Sequence, residues 1–299
     1  MVADKTSRIR RSDLTNDERI AIAESLQLRV LEQIGRLQGE APGLVFHGGT
    51  AISLLHGSPR WSEDLDFMAT PEAVSRLFGR AREIGAALQM QSSLTTPGAT
   101  VGLSVKGSGD PDRTGTVERL NVRWEHPEKL GAIRIKVEFY TCPEERLAAY
   151  LAAPRVPAVR GFTSRSPIAG AAPVSIWADK IVALAQRPVL KQRDIHDLGF
   201  IAPMVPADAD RAAALAASMG IYGRRPDEIR DGLERDFVHD AGTDRAAFDA
   251  DMARWFSTED HARMRADGHL DALFGAFRPA FELGRDLVSD MSRDAECGL

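Results

Sequence analysis

The chain has 299 residues, of which 43% are hydrophobic, so it can bury a substantial core and form about two domains. Its net charge of −5 excludes a general nucleic-acid coat, and no apolar run approaches the roughly 20 residues needed to span a bilayer. The charge is uneven: the first 200 residues hold 26 Lys and Arg against 23 Asp and Glu, and the remaining 99 hold 12 against 20.

The N-terminal stretch, MVADKTSRIRRSDLT, is charged and has no apolar core after it, so we expect no signal peptide. Cys142 and Cys297 lie far apart and form no motif, which indicates a reduced, cytoplasmic protein. Apolar residues at helical spacing then predict a helix over 16–38, with Thr15 or Asn16 as its N-cap.

The next segment predicts a strand, a glycine turn and a second strand. The run LVFHGG (44–49) is apolar and stops at two glycines, as a buried strand entering a turn would. A short helix is predicted over 50–57, a strand over 64–68 and one amphipathic helix over 71–88.

Alternating apolar and polar residues predict three strands with one face in the core, at 101–105, 120–124 and 133–139. The turn-rich loop 106–115 predicts a hairpin connection between the first two. Residues 150–173, rich in Ala, Pro, Gly and Ser, are predicted to be a connector that crosses to a second unit.

From about residue 174 to the end the pattern is helical. The predicted helical segments are 175–187, 194–202, 206–219, 226–238, 244–256, 259–275 and 278–293. A strand-rich first part followed by helices predicts an α+β fold.

The glycine pair in GGTAISLLHGSPRWSEDLDF is a candidate phosphate-binding turn. Gly48 and Gly49 let a ligand approach the backbone closely. Thr50 starts a helix whose free N–H groups and dipole favour anions, and its hydroxyl is a further donor.

The carboxylate pair at the end of the same stretch is a candidate metal site. On a strand, Asp64 and Asp66 share one face, and their repulsion favours a cation between them. Mg²⁺ suits a few carboxylates completed by water and substrate phosphate. The alternative is an exposed acidic strand end.

A third carboxylate, Glu138, lies on the polar face of the clearest strand, and a neighbouring strand could bring it beside Asp64 and Asp66. Three such carboxylates opposite a glycine turn predict a two-metal phosphoryl-transfer site. One ion would bind a triphosphate and the other would lower the pKa of an attacking hydroxyl, with Glu138 or Asp66 as its base.

These residues resemble a known family. Gly-Gly-Thr/Ser, a short helix and Ser-x-Asp-hydrophobic-Asp-hydrophobic resemble the DNA polymerase beta-like nucleotidyltransferase superfamily, and within it the AbiEii/AbiGii toxin family. WADKIVALAQR (177–187) and RDIHDL (193–198) support the narrower assignment, and the likeness runs over roughly 40–200.

The resemblance implies a nucleotidyltransferase-fold mixed sheet with flanking helices over 1–170 and a helical domain over 171–299, with the active site between them. By position, the phosphate-binding residues would be Gly48, Gly49, Thr50, Ser62 and Lys180; the metal ligands would be Asp64, Asp66 and Glu138; and the catalytic residues would be Asp64, Asp66, Lys180 and Asp197.

The second half leaves several alternatives open. Lys180 flanks the apolar stripe of its helix, where it could reach the cleft or extend to water. Asp194 could be a further acid or the N-cap of its helix, and Asp197 could pair with Lys180 and fix its direction. His47 and His56, on either side of the glycine turn, are interpreted as half-buried packing residues.

The resemblance also implies the reaction. Known members are toxins that transfer a nucleoside monophosphate from an NTP to the 3′ end of tRNA, with Mg²⁺ and release of pyrophosphate, and are paired with a cognate antitoxin. A tRNA acceptor requires a positive groove. The candidates for this groove are Arg155, Arg160, Arg165, Arg187, Lys191 and Arg193. The alternatives are nucleotidylation of a protein side chain or of a small molecule such as an aminoglycoside, and a binding module without catalysis.

Overall fold

Sheet and helices occupy the two halves of the chain that the sequence indicates. The computed structural model describes residues 11–38, 43–110, 112–235 and 244–297. Its strands are β1 (Ser12–Asp13), β2 (Leu44–His47), β3 (Leu65–Ala69), β4 (Thr100–Lys106), β5 (Val117–Glu125), β6 (Lys129–Leu130), β7 (Ile133–Thr141), β8 (Ala152–Arg155), β9 (Ala158–Val159), β10 (Phe162–Thr163) and β11 (Ile168–Ala171).

Helices flank the sheet and form the whole second half of the described chain. They are α1 (Asn16–Gln38), α2 (Gly48–His56), α3 (Pro71–Gly79), α4 (Ala81–Thr95), α5 (Glu144–Ala148), α6 (Pro173–Gln186), α7 (Gln192–Ile201), α8 (Arg211–Ile221), α9 (Pro226–Leu233), α10 (Arg245–Met252), α11 (Thr258–Ala266) and α12 (His269–Cys297). Within the described ranges, every helix is too short or too polar to cross a membrane.

The central sheet has seven strands in the order β4-β5-β7-β3-β2-β11-β8. Two pairs are parallel, β3 with β7 and β2 with β11, and the other pairs are antiparallel. This architecture confirms the predicted α+β fold with a mixed sheet followed by helices. The last sheet strand ends at Ala171 and α6 begins at Pro173. The division into two domains at 170/171 stays a prediction.

Side-chain alternation fixes which residues of the central strands face the core. Phe46, Phe67 and Phe139 are Cα partners across β2, β3 and β7, and their rings lie 5.2 and 5.3 Å apart. Because neighbouring residues point to opposite faces, Asp66 and its partner Glu138 lie together on the other face. The aromatic core therefore places two carboxylates of adjacent strands side by side.

Two sequence predictions in the first half are wrong. The segment 71–88 is two helices, because Arg80 leaves helical geometry (φ −99°, ψ 5°) directly after Gly79. The connector 150–173 contributes β8 and β11 to the sheet. Its strands escaped the pattern because they are built of small residues: a Cβ on Gly170 would lie 2.3 Å from Leu55 Cδ1.

The helical half also differs in its boundaries. The break predicted between 275 and 278 is absent, and α12 instead starts after Gly268, whose φ of +68° suits glycine, and runs through Pro279. The helix predicted over 226–238 ends at Leu233, and residues 236–238 lie outside the described residues. Asp194 is not an N-cap, because α7 begins two residues before it.

Candidate active site

A cleft of about 230 Å³ opens where the β2–α2 turn and β3 face α6 and α7. Seven of the nine residues predicted for phosphate binding, metal binding or catalysis line it, namely Gly48, Gly49, Ser62, Asp64, Asp66, Lys180 and Asp197, whereas Thr50 and Glu138 are not among its lining residues. Residues up to 149 positions apart thus share one cavity, as the site hypothesis required.

The two glycines are required by their neighbours. Gly48 has a φ of +78°, and a Cβ there would lie 2.6 Å from Asp66 Oδ2. A Cβ on Gly49 would lie 2.7 Å from Arg60 Nη2 and 2.9 Å from Ser62 Oγ. The turn can therefore pass this close to the carboxylate and the guanidinium only as a glycine pair.

The start of α2 leaves backbone donors available. His47 is the N-cap residue, but its side chain makes no capping hydrogen bond to the helix. The Thr50 hydroxyl is engaged elsewhere, since it donates to the Asp64 backbone carbonyl and is buried. In this structure Thr50 therefore fixes the loop before the carboxylates and does not direct its hydroxyl at the cleft.

Asp66 on β3 and Asp64, directly before that strand, are held in a partly desolvated setting. Burial raises the pKa of Asp66, and His47 opposes that rise while Glu138 adds to it. Burial likewise raises the pKa of Asp64, which Lys136 opposes with its Nζ 3.6 Å from Oδ2. A bound cation would lower both pKa values, so the pair has the character of a cation site.

Glu138 is the Cα partner of Asp66 but is already engaged by Arg119, whose Nε lies 2.7 Å from Oε1. Among the described residues, no three Asp, Glu, His or Cys side chains form a ready-made metal cage. Mg²⁺ commonly takes one or two protein carboxylates and completes its octahedron with water and phosphate oxygens. Asp64 and Asp66 fit that mode of binding.

The opposite wall is an ion network centred on Asp197. Lys180 Nζ lies 2.6 Å from Asp197 Oδ2, and Arg60 contacts both carboxylate oxygens at 2.7 and 3.0 Å. Burial alone would raise the pKa of Asp197, but Arg60 and Lys180 outweigh it and hold that pKa well below its usual range. Asp197 therefore stays ionised and directs Lys180.

Asp194 extends this network, since it is fully buried and its carboxylate lies 3.5 Å from Lys180 Nζ and 3.0 Å from Arg187 Nε. His196 packs against Phe200 and Phe256.

A buried acid missed by the sequence analysis, Asp179, also lines the cleft. It accepts hydrogen bonds from Tyr150 and from Ser218, the latter at 2.7 Å, and lies 3.2 Å from His47 Nδ1. It thereby links the end of β2 to α6 and α8. The available signal was an acid inside the otherwise apolar run around Trp177. Arg60, in SPRWSED, was also missed, and its signal was an arginine between the glycine turn and the acids.

The predicted basic groove does not form as one surface. Of its six candidates, only Arg187 and Arg193 line the cleft. Arg160 pairs with Glu24 and Asp260, and together with Arg165 it lines a separate groove between α1 and α4. Acidic partners, which composition alone does not reveal, neutralise that part of the surface.

Comparison with known proteins gives an independent result. The family model described as "Nucleotidyl transferase AbiEii toxin, Type IV TA system" matches residues 29–282. Among solved structures, JHP933 from Helicobacter pylori is similar at 18% identity and a TM-score of 0.45, over 94% of this chain and 96% of that one. A candidate nucleotidyltransferase from H. pylori is similar at 20% identity and a TM-score of 0.48, over 92% and 99%. A search of curated proteins finds no match.

Proposed function

The chain belongs to the AbiEii family of nucleotidyl transferase toxins, and from this premise we propose that it moves a nucleoside monophosphate from an NTP to an acceptor hydroxyl, with release of pyrophosphate. The observation that carries the proposal is the single cleft in which a glycine turn, two carboxylates and a buried lysine converge. Phosphoryl transfer depends mainly on such positioning and charge stabilisation.

The residues divide by chemistry. The backbone N–H groups that begin α2 at Gly48 would bind phosphate oxygens, because a helix start favours anions. Lys180, oriented by its ion pair with Asp197, would stabilise the charge that develops on the leaving pyrophosphate. Asp64 and Asp66 would hold Mg²⁺, which supplies charge neutralisation at the phosphates when bound.

The bond changes balance without an additional reactant. The acceptor oxygen bonds to the α-phosphorus, and the bond from that phosphorus to the bridging oxygen of pyrophosphate breaks. Glu138 or Asp66, which are Cα partners on the same face of the sheet, would take the acceptor's proton, and Glu138 would first have to leave its ion pair with Arg119.

For the acceptor we propose the 3′ end of tRNA, as the family resemblance implies, and a tRNA acceptor would place the reaction in the cytoplasm. The same resemblance implies that a cognate antitoxin is the protein's partner. In the chain itself, the positive charge of Arg193 in the cleft supports an RNA acceptor.

The test incubates labelled NTPs and Mg²⁺ with tRNA, total RNA, cell protein or an aminoglycoside. Asp64→Asn removes the proposed metal ligand, and Asp208→Asn makes the same change at an exposed site. We expect label at the RNA 3′ end with wild type and Asp208→Asn, and none with Asp64→Asn. Label on protein or antibiotic would replace the acceptor, and no label in any mixture would contradict the proposal.

A further inference from the structure

The positive side chains of the cleft differ in their partners. Arg60, Lys180, Arg187 and Arg193 all line it. The first three each bind a buried carboxylate of α7, at 2.7, 2.6 and 3.0 Å respectively. Across the part of the chain that the structure describes, Arg193 has no carboxylate within ion-pair distance. Its charge is the one among these four that the protein leaves uncompensated.

Arg193 is nevertheless held in place. Its guanidinium carbon lies 5.1 Å from the ring centroid of Trp255, in the range of a cation–π contact. That indole is buried and anchored, since its Nε1 donates to Asp251 Oδ2 at 3.2 Å and its backbone carbonyl accepts from Trp61 N at 2.8 Å. Stacking occupies the flat face of a guanidinium and leaves its N–H donors at the edge available.

Arg193 and Asp66 line the same cleft, in which the substrate phosphates would sit. They do not form an ion pair. A held, unpaired guanidinium beside a carboxylate that would hold Mg²⁺ suits a multiply charged anion, which would contact the guanidinium on one side and the bound cation on the other.

We propose that Arg193 is a phosphate-binding residue of this cleft, positioned by Trp255. The inference rests on the proposed nucleotidyl transfer and adds a residue to it. The phosphate could belong to the NTP or to the backbone of an RNA acceptor, because both present the same oxygens to a guanidinium.

The first experiment measures binding of inorganic tripolyphosphate with Mg²⁺ by calorimetry, which requires neither turnover nor the right base. The variants are Arg193→Gln, which removes the charge, and Arg193→Lys, which keeps it without the planar fork. Arg254→Gln is the matched control, since that side chain is 75% exposed, adjoins Trp255 and does not line the cleft.

If Arg193 binds the NTP, Arg193→Gln raises the dissociation constant of tripolyphosphate about 10- to 100-fold, as expected for a lost charge-assisted hydrogen bond. Arg193→Lys gives a smaller rise, and Arg254→Gln stays within about twofold of wild type, the limit we set for electrostatic effects at a distance.

If Arg193 binds RNA, tripolyphosphate binding is unchanged, the KM for the RNA acceptor rises, and the slope of log affinity against log salt falls by about 1. The proposal is overturned if the dissociation constant of tripolyphosphate and the KM for the RNA acceptor are both the same for Arg193→Gln as for Arg254→Gln. If the wild-type protein binds tripolyphosphate but labels no acceptor, the proposed function is wrong. The effect of Arg193→Gln on tripolyphosphate binding then still tests the role of Arg193.

The positioning role of Trp255 is tested by Trp255→Leu, with and without Arg193→Gln. We expect the double variant to bind no more weakly than Arg193→Gln alone, because the indole acts through the guanidinium. If Trp255→Leu weakens tripolyphosphate binding equally in the wild type and in Arg193→Gln, the positioning role of Trp255 is wrong. Thermal melting accompanies each variant, so a folding defect is recognised separately.

Discussion

Replacing Asp197 by asparagine should destabilise the protein strongly, because its carboxylate is the nearest ion-pair partner of two buried cations, Arg60 and Lys180. Asp197 is 1% exposed, Arg60 is 2% exposed, and Lys180 is 8% exposed. Asparagine keeps the shape of the side chain but removes its charge, so the guanidinium and the ammonium remain buried with reduced compensation. Breaking a buried ion pair by removing one partner costs about 3–5 kcal/mol, and we expect a loss in that range.

The assay is urea-induced unfolding of wild type, Asp197→Asn and the exposed control Asp208→Asn, which should change stability by less than about 0.5 kcal/mol. Because the pKa of Asp197 is depressed in the folded state, its contribution is present above the unfolded pKa of about 4 and is lost as pH falls through the lower folded value. The difference between wild type and Asp197→Asn should therefore be constant from about pH 5 to pH 8 and shrink only in stronger acid.

Adding Arg60→Met to Asp197→Asn removes one of the two buried cations that lose their nearest ion-pair partner in Asp197→Asn. The double variant should lose less stability than the sum of the single variants. A loss of unfolding free energy below about 1 kcal/mol for Asp197→Asn, the size expected for an exposed ion pair, would show that Asp197 does not compensate buried cations. So would strict additivity with Arg60→Met.

The remaining predictions concern the glycine turn and the acids around it. Gly48→Ala should abolish transfer, because its Cβ would lie 2.6 Å from Asp66 Oδ2. The control Gly57→Ala, at φ +79° with no atom within 4 Å, should lose only the roughly 1–2 kcal/mol of folding stability that left-handed strain costs. Equal transfer activity of the two variants would contradict this prediction. Asp66→Asn should abolish transfer yet raise folding stability at pH 7. The reason is that burial raises the pKa of the Asp66 carboxyl, so its negative charge at pH 7 destabilises the folded state. The stability gained by Asp66→Asn should shrink as pH falls through the raised pKa, because the wild-type carboxyl then becomes protonated. A lower urea midpoint at pH 7 would count against it. Asp179→Asn should cost about 1–3 kcal/mol in urea unfolding, since its carboxylate accepts buried donors, and a loss no greater than that of Asp208→Asn would speak against this linking role.

Local patterns predicted the sheet at the site well, because alternation and turn chemistry act over a few residues. Alternation predicted the strand containing Glu138 over 133–139, and the structure has a strand at Ile133–Thr141. The same alternation placed Asp64 and Asp66 on one face. Their approach to Glu138 then required only that the two strands be neighbours, which the parallel pairing of β3 with β7 provides.

Other features depend on contacts between distant residues and carry no local signal. Strands β8 and β11 consist mostly of small residues, and the close fit of Gly170 in β11 against Leu55 appears only in the folded protein. The partners of Asp179 come from β2, from α8 and from the segment between α5 and β8, and Arg160 is neutralised by acids that are 136 and 100 positions away along the chain. For these residues the sequence shows what type of side chain is present and leaves its partner undetermined.

The most direct test of the site is a crystal structure with a non-hydrolysable NTP analogue and Mn²⁺, whose anomalous signal locates the ion. The account predicts an anomalous peak between Asp64 and Asp66, with the triphosphate running from the turn at Gly48 toward Lys180. Density for the nucleotide in the larger groove between α1 and α4, with no peak at the β3 carboxylates, would contradict it.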